Sequence, residues 1–242
     1  MSSSPKVKKR EFPLRRGGNY YIEFDGNPLV LPSVTNILGN TLPKPQLVSW
    51  AARTAAKAAL ENPGFSVEDA AASIYRKKTA ATGKGKNVHE WIESFTNDPT
   101  IGFEDLLEEE IPYAKAFKQF MEAEQPKFIY AEAVVFNITH GYAGSLDAIA
   151  ETGSNQQLTM MDWKTGKGVY YESHLQQVAY KNAEYLMTKD KKIIPMPQVK
   201  AMFLIHLQNN EKYAKIGVNE PFEDFLKVME VWKILQKKKN DN

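Results

Sequence analysis

The pattern of hydrophobic and polar positions changes its period along the chain. Up to residue 81, turn residues alternate with helix-forming stretches, and the dipeptide Asp25-Gly26 separates two short apolar runs. The elements predicted here are a β-hairpin over 19–31, a short helical segment after Pro32-Ser33, and helices over 46–61 and about 67–81. Residues 19–81 are therefore predicted to form an N-terminal hairpin and a mainly helical subdomain, and Thr82–Lys86 a glycine-rich basic loop after it.

From residue 87 onward the order becomes helix, three strands, helix, strand. The predicted elements are helices over 87–96 and 103–124, strands over 127–137, 142–151 and 157–164, a helix over 170–188, strands over 198–207 and 212–218, and a last helix over 221–237. A three-strand meander followed by a helical crossover gives a mixed sheet with helices on its faces. The predicted fold class is therefore α/β, with residues 82–242 as the core domain.

The composition is sufficient for a hydrophobic core, but the net charge does not indicate a class of binding partner. The chain has 242 residues, of which 43% are hydrophobic and 25% charged, and its net charge is only +2. The charge is unevenly spread, because residues 1–18 carry six lysines and arginines against one glutamate. This segment is predicted to be a flexible basic arm. It either holds a phosphate backbone or is a solvated tail, and both interpretations stay open.

Cysteine and hydropathy exclude several classes of protein. The chain has no cysteine, which excludes a disulfide framework, a thiolate zinc site and an iron–sulfur cluster. No apolar run reaches the length of a membrane span, and the N-terminus lacks the apolar region of a secretory signal. We therefore predict a cytoplasmic protein without a membrane partner.

The strongest chemical signal lies on the predicted meander. Asp162 and Lys164 are two residues apart, so their side chains leave the same face of one strand, and Asp147 lies on the neighbouring strand. Adjacent strands are roughly 5 Å apart, so the two carboxylates are placed to share one cation. Mg²⁺ prefers such oxygen ligands, and the backbone carbonyl of Trp163 is a further candidate. Lys164 would orient or deprotonate an attacking water, or stabilise charge on a phosphate.

Other residues extend this constellation. Gln176 and Tyr180 follow at i and i+4, on one face of the next predicted helix. His89 is a candidate metal ligand, and Glu93, one turn on, either orients it or is a solvated charge on the helix. Glu132 on the first strand is either a further metal ligand beside Asp147 or an ordinary strand residue.

Phosphate and base contacts also have candidates. Lys84 and Lys86 would meet a phosphate at a helix N-terminus. Trp163, Tyr170 and Tyr171 either stack on unpaired bases or pack against the sheet.

These motifs, in this order, resemble the PD-(D/E)XK nuclease superfamily. The similarity is to the branch with RecB-type exonuclease domains, Cas4-like proteins and the mitochondrial genome-maintenance exonuclease. Many Cas4-like proteins carry four cysteines for an iron–sulfur cluster, which this chain lacks. The N-terminal segment is similar to compact phage-encoded nucleases. The matching pieces are Gly83 to His89 with Glu93, Gly144 to Asp147, Asp162 to Gly166, and Gln176 to Tyr180.

The resemblance implies both a fold and a site. The fold would be a restriction-endonuclease-like αβββαβ core with a central mixed sheet. His89, Asp147 and Asp162 would bind Mg²⁺, with Mn²⁺ as a substitute, and Lys164 would be the catalytic lysine. Gln176 and Tyr180 would support the site and contact DNA.

The function expected from this resemblance is a DNA exonuclease in replication, recombination or DNA degradation. Its substrate would be single-stranded or end-frayed DNA, and a recombination or replication protein is a candidate partner. For a phage-encoded protein the location would be the host cytoplasm. Two alternatives stay open: an endonuclease of the same superfamily, and a DNA-binding recombination accessory that does not cleave.

Overall fold

The computed structural model describes residues 13–240, without the side chains of the last two. Most of the predicted basic arm therefore lies outside the described residues. Its described end is ordered: Leu14–Arg16 form a strand that pairs with the following hairpin, and Gly17 and Gly18 make the connecting turn at positive φ. The predicted hairpin is thus confirmed and gains a third strand.

The described chain contains ten strands and six helices. The strands are β1 (Leu14–Arg16), β2 (Asn19–Phe24), β3 (Asn27–Pro32), β4 (Lys127–Asn137), β5 (Tyr142–Thr152), β6 (Gln157–Lys164), β7 (Tyr185–Met187), β8 (Ile193–Pro195), β9 (Ala201–Leu207) and β10 (Tyr213–Gly217). The helices are α1 (Val34–Thr41), α2 (Pro45–Glu61), α3 (Val67–Asn97), α4 (Ile111–Glu124), α5 (Tyr171–Lys181) and α6 (Phe222–Asn240).

Seven strands form one large sheet in the order β10-β9-β6-β5-β4-β7-β8. The meander β4-β5-β6 is antiparallel, whereas β6 and β9 are parallel neighbours because the chain crosses over through α5 between them. Both the three predicted strands and the crossover are present. The predicted α/β class with a mixed sheet is confirmed.

Helices cover both faces of this sheet. One apolar cluster lies under α1, α5 and α6 and includes Leu175, Leu204 and Phe225. The other lies under α4 and the second half of α3, where Phe117 and Trp163 meet edge to face at 5.1 Å between ring centroids. The catalytic candidates thus lie on strands that are held from both sides.

Helix α3 corrects one prediction. It runs unbroken through Thr82–Lys86, so the predicted glycine-rich loop is wrong. Two glycines cost a helix about 1 kcal/mol each relative to alanine. That cost is offset at one end by the capping box of Ser66 with Asp69, and at the other by burial of apolar residues such as Trp91.

Two other predicted helices are longer than the real ones. The acidic stretch becomes helical only at Ile111, where Pro112 occupies the first turn. The helix predicted over 170–188 ends at Lys181, because Tyr185–Met187 pair with β4 as strand β7. In both places a tertiary contact or a proline outweighs local helix propensity.

The N-terminal elements contribute to the body of the protein in different degrees. Tyr20, Ile22 and Leu31 of the small sheet pack against Phe136 and Met187 of the large one. Helix α1 packs against α5 and α6, whereas α2 packs mainly along α3 as a helical hairpin. Among residues 13–240, every helix is too short or too polar to cross a membrane.

Candidate metal centre

Three acidic residues occupy one row across three adjacent strands. They are Glu132 on β4, Asp147 on β5 and Asp162 on β6. The flanking register fixes this row: Ala131 pairs with Ala148, Ala133 with Leu146, and Ala148 with Met161. Because neighbouring strands are about 5 Å apart, the row brings the three carboxyl groups together.

The strand ladder is irregular at this row. Glu132 has φ of 52°, in the left-handed region that a glutamate rarely adopts. The alternation of faces also changes phase there, since Leu146 lies in the cluster under α5 but Ala148 lies in the cluster under α3 and α4. A local irregularity of this kind re-aims side chains, and such irregularities are common next to active sites.

One half of the site, which we call the open half, consists of His89, Glu132 and Asp147. Each offers a ligand atom within 4.8 Å of the others. Asp147 is held in place because its Oδ2 accepts a hydrogen bond of 2.7 Å from the backbone N–H of Trp163. Nδ1 of His89 lies 3.6 Å from the same oxygen, and Nε2 lies 3.1 Å from the Trp163 carbonyl oxygen.

Electrostatics in the open half favour an added cation. Burial, and then the nearby charge of Asp147, raise the pKa of Glu132 to about 7, while His89 and Lys189 oppose the shift. Two carboxylates at this distance repel each other unless a proton or a cation lies between them. A proton on Glu132 relieves this repulsion, and a cation between the two carboxyl groups would do the same.

The other half, which we call the locked half, consists of Asp162, Lys164, Gln176 and Tyr180. Nζ of Lys164 lies 2.5 Å from Oδ2 of Asp162, a carboxylate only 3% exposed. The lysine also donates to Oε1 of Gln176 at 3.3 Å, and Nε2 of Gln176 donates to the Tyr180 hydroxyl at 2.9 Å. The predicted pairs therefore form one continuous chain of contacts.

Burial and charge act against each other in the locked half. Burial raises the pKa of Asp162, and the Lys164 ammonium limits the rise. Burial also opposes the charge on Lys164, but the carboxylates of Asp162 and Asp147 outweigh it and raise the pKa of that lysine. Lys164 is therefore an ammonium at neutral pH in this arrangement.

Tyr180 explains why a glycine stands three residues before Asp147. A Cβ atom on Gly144 would lie 2.2 Å from Cε1 of Tyr180 and 2.7 Å from its hydroxyl oxygen. The tyrosine is 2% exposed and burial raises its pKa. It therefore supports Gln176 from inside the protein, and the DNA contact implied for it stays a prediction.

His89 reaches the sheet because the second half of α3 is fixed in two ways. Val88, Trp91 and Ile92 are buried against the large sheet. Glu110, itself 1% exposed, accepts a hydrogen bond of 2.9 Å from Nδ2 of Asn87 and another from the backbone N–H of Leu107. The helix is thereby tied to the start of α4 two residues before the histidine.

The predicted phosphate ligands occupy helix faces, not a loop. Lys84 pairs with Glu109 at 3.1 Å, and Lys86 pairs with Glu90 at 2.8 Å on the solvent side of α3. Glu93, predicted to orient His89, instead pairs with Lys189 at 2.6 Å. None of the three is bonded to the site in the described part of the chain.

The predicted aromatic contacts divide in the same way. Trp163 is 2% exposed and packs among the rings of Phe117, Phe120 and Phe128, so the packing alternative is the correct one for it. Tyr170 and Tyr171 are exposed beside the locked half. They remain available for contacts outside the core.

The residues present fit a divalent cation. Imidazole and carboxylate are ligands that Mn²⁺ and Mg²⁺ accept, and His89, Glu132 and Asp147 each offer a ligand atom close enough to the others to share one ion. Oδ2 of Asp162 is buried and has no aligned hydrogen bond among the described residues. This oxygen, on the strand next to that of Asp147, can therefore accept a further contact.

Comparisons with known proteins add little to this geometry. A scan of protein-family models gives no match, and a search of curated proteins gives none. Among solved structures, a protein called SSO0001 aligns with 63% of this chain and 70% of its own, at 15% sequence identity and a TM-score of 0.32. A likeness of this size assigns no function.

Proposed function

We propose that this protein is a metal-dependent deoxyribonuclease of the PD-(D/E)XK type that acts as an exonuclease, with Mg²⁺ as its ion and Mn²⁺ as a substitute. One observation carries the proposal: His89, the row of three carboxylates and Lys164 converge at one place on the sheet. A cation site beside a fixed ammonium is what hydrolysis of a phosphodiester needs, because negative charge builds up on the phosphate in the transition state.

The residues of the two halves would have different roles. His89, Glu132, Asp147, Asp162 and the Trp163 carbonyl would hold the ion, which when bound would polarise the phosphoryl group and lower the pKa of a coordinated water. Lys164 is held by Asp162 and Gln176. As an ammonium it would stabilise charge on the phosphate and orient the water, whereas it has no free lone pair with which to take a proton.

The order of elements supports the same proposal. From α3 through β4, β5, β6 and α5 to β9, the chain follows helix, three strands, helix, strand. This is the order expected of the αβββαβ nuclease core, and the candidate side chains fall on its meander and on the crossover helix. The exonuclease assignment rests on the sequence resemblance.

The test is cleavage of end-labelled linear DNA, single- and double-stranded, beside closed circular DNA, with Mg²⁺ or with a chelator. Wild type and Lys164→Ala are assayed together. Shortening of linear DNA that spares circles, needs metal and is abolished in the variant is the expected result. The end from which the label shortens gives the polarity.

Other results would select the alternatives. Cleavage of circles, abolished in the same variant, would make the protein an endonuclease with this site. Binding of DNA without cleavage under any metal would support the accessory function. Cleavage by Lys164→Ala at a rate close to that of wild type would show that Lys164 does not take part in cleavage.

A further inference from the structure

A cleft of about 960 Å³ lies next to the locked half. It opens between the helical hairpin of α2 and α3 and the carboxyl ends of the parallel strands β6 and β9. Thr165, the residue after Lys164, and Trp50 of α2 both line it. A bound ligand strand that leaves the locked half in the direction of β6 therefore enters this cleft directly.

The charge of the cleft fits an anionic ligand. Three lysines line it, Lys77 and Lys84 from α3 and Lys167 from the loop after β6, against one acid, Glu109. Glu109 pairs with Lys84 at 3.1 Å. Within residues 13–240, Lys77 and Lys167 have no carboxylate partner, and both are exposed. Two ammonium groups are thus available to a ligand.

The spacing of the two lysines on α3, of which Lys84 is now paired with Glu109, fits a polymer better than a single phosphate. Lys77 and Lys84 are seven residues apart on one helix, which places them on the same face about 10 Å apart. A stacked strand of DNA advances about 3.4 Å per nucleotide, so this spacing spans about three nucleotides. The volume is at the upper end of the range of pockets that take small ligands. It therefore suits a short length of one strand.

Aromatic side chains supply the second recognition element. Trp50 and Tyr113 are half-buried in the wall of the cleft. Base stacking on such rings contributes about 1–3 kcal/mol per base and tolerates any sequence. Inside a duplex both faces of each base are covered by its neighbours, so stacking on these rings is open to unpaired bases and, at a duplex end, to one face of the last pair.

We propose that this cleft binds a single-stranded polynucleotide next to the bond that is cut, with backbone phosphates at Lys77 and Lys167 and a base stacked on Trp50. The proposal rests on the proposed function for the identity of the ligand. It assigns strand binding to residues that lie outside the metal centre.

The test is fluorescence anisotropy of labelled oligonucleotides on the full chain, in a chelator so that nothing is cut. The probes are a 15-nucleotide oligothymidylate and a blunt 15-base-pair duplex without a loop. We expect Trp50→Ala to weaken binding of the single strand by about 5- to 150-fold. We expect Lys77→Ala with Lys167→Ala to weaken it as well, with a salt slope shallower by about 0.7 for each phosphate that the variant no longer neutralises.

Glu109→Gln gives the sharpest arm of the test because the expected change is a gain. Glu109 is the only acid among the described residues that line the cleft, and removing its charge frees Lys84 from its ion pair. Single-strand binding should tighten several-fold and its salt slope should steepen. A misfolded variant does not bind its ligand more tightly. Lys127→Ala, an exposed lysine paired with Glu151 at 3.0 Å, is the matched control and should bind as wild type.

The failures of the two proposals are distinguishable. If wild type cuts DNA but every cleft variant binds the single strand as wild type does, the cleft proposal is wrong and the nuclease proposal stands. Equal loss of affinity for the duplex and the single strand would also overturn the cleft proposal. If the cleft variants change binding as expected but wild type cuts nothing, the cleft proposal stands and the nuclease proposal fails.

Discussion

The two halves of the metal centre neutralise their acids in opposite ways. In the locked half the chain supplies its own cation, Lys164, at 2.5 Å from Asp162. In the open half, Glu132 and Asp147 lie with His89, and Lys189, which lowers the pKa of Glu132, is itself paired with Glu93. The locked half therefore already holds a cationic side chain, whereas the carboxyl groups of the open half have their charge relieved by a proton or by a metal ion. The difference indicates where the protein keeps a position for an external cation.

Removing Lys164 would break the locked half most severely. We expect Lys164→Ala to lower the rate of DNA cleavage by about 10²–10⁴-fold, because a fixed charge beside the phosphate is removed. Single-turnover cleavage with saturating Mg²⁺ measures the effect. Lys127→Ala controls for loss of surface charge. A rate within tenfold of wild type would show that Lys164 only balances the charge of Asp162.

A methyl group on Gly144 would disturb the same half from behind. The added Cβ would meet the Tyr180 ring at 2.2 Å, and overpacking of this kind costs about 1–3 kcal/mol. Denaturant unfolding of Gly144→Ala measures the loss of stability. At Gly168 an added Cβ has nothing within 4 Å, so Gly168→Ala is the matched control.

A double-mutant cycle with Tyr180→Ala tests whether contact with the Tyr180 ring causes the loss of stability in Gly144→Ala. If the glycine is required by the tyrosine ring, Gly144→Ala should cost much less in the Tyr180→Ala background. Equal costs in both backgrounds would point to the strand backbone instead.

Changing Glu132 probes the open half. We expect Glu132→Gln to weaken Mn²⁺ binding at least about tenfold in calorimetry, because a charged ligand is removed. The matched control is Glu93→Gln, which removes a neighbouring carboxylate that is paired with Lys189. Unchanged affinity in Glu132→Gln would exclude Glu132 as a ligand.

The pH dependence of the metal-free protein tests the same carboxyl group. The folded state raises the pKa of Glu132 from about 4.5 to about 7. Between these values the folded protein holds a proton that the unfolded chain has released, so the free energy of unfolding should fall as pH rises through this window. Glu132→Gln should flatten that fall. Saturating Mn²⁺ should remove it from the wild type.

The sequence predicts the side-chain contacts of the locked half better than those of the open half. Period-two alternation places Asp162 and Lys164 on one face, and the helical period places Gln176 and Tyr180 together; both pairs are in contact as predicted. The sequence leaves Glu132 ambiguous because its left-handed φ has no signature in residue types. A glutamate in a strand gives no sign that its side chain is re-aimed.

Features that depend on contacts between distant parts of the chain also cannot be predicted from local sequence patterns. The cleft brings Trp50 of α2 together with Lys167 after β6, and local patterns do not predict which elements meet. The continuity of α3 through Gly83 and Gly85 is also hidden, because glycine penalties dominate any prediction made without tertiary contacts. For this protein, contacts within one strand or one helix can be predicted from the periodicity of the sequence, whereas contacts between elements cannot.

The smallest expected effect separates packing from hydrogen bonding in the locked half. Tyr180→Phe keeps the ring against Gly144 but removes the oxygen that accepts from Nε2 of Gln176. Removing a hydrogen bond of this kind costs about 0.5–1.5 kcal/mol, so we expect the cleavage rate to fall about 2- to 12-fold. In Tyr213→Phe, a matched control, the ring packs edge to face with Phe120 far along the sheet from Gln176. If both variants cleave alike, the ring alone would hold Gln176 and Lys164 in place, and the order of the locked half would be a matter of shape.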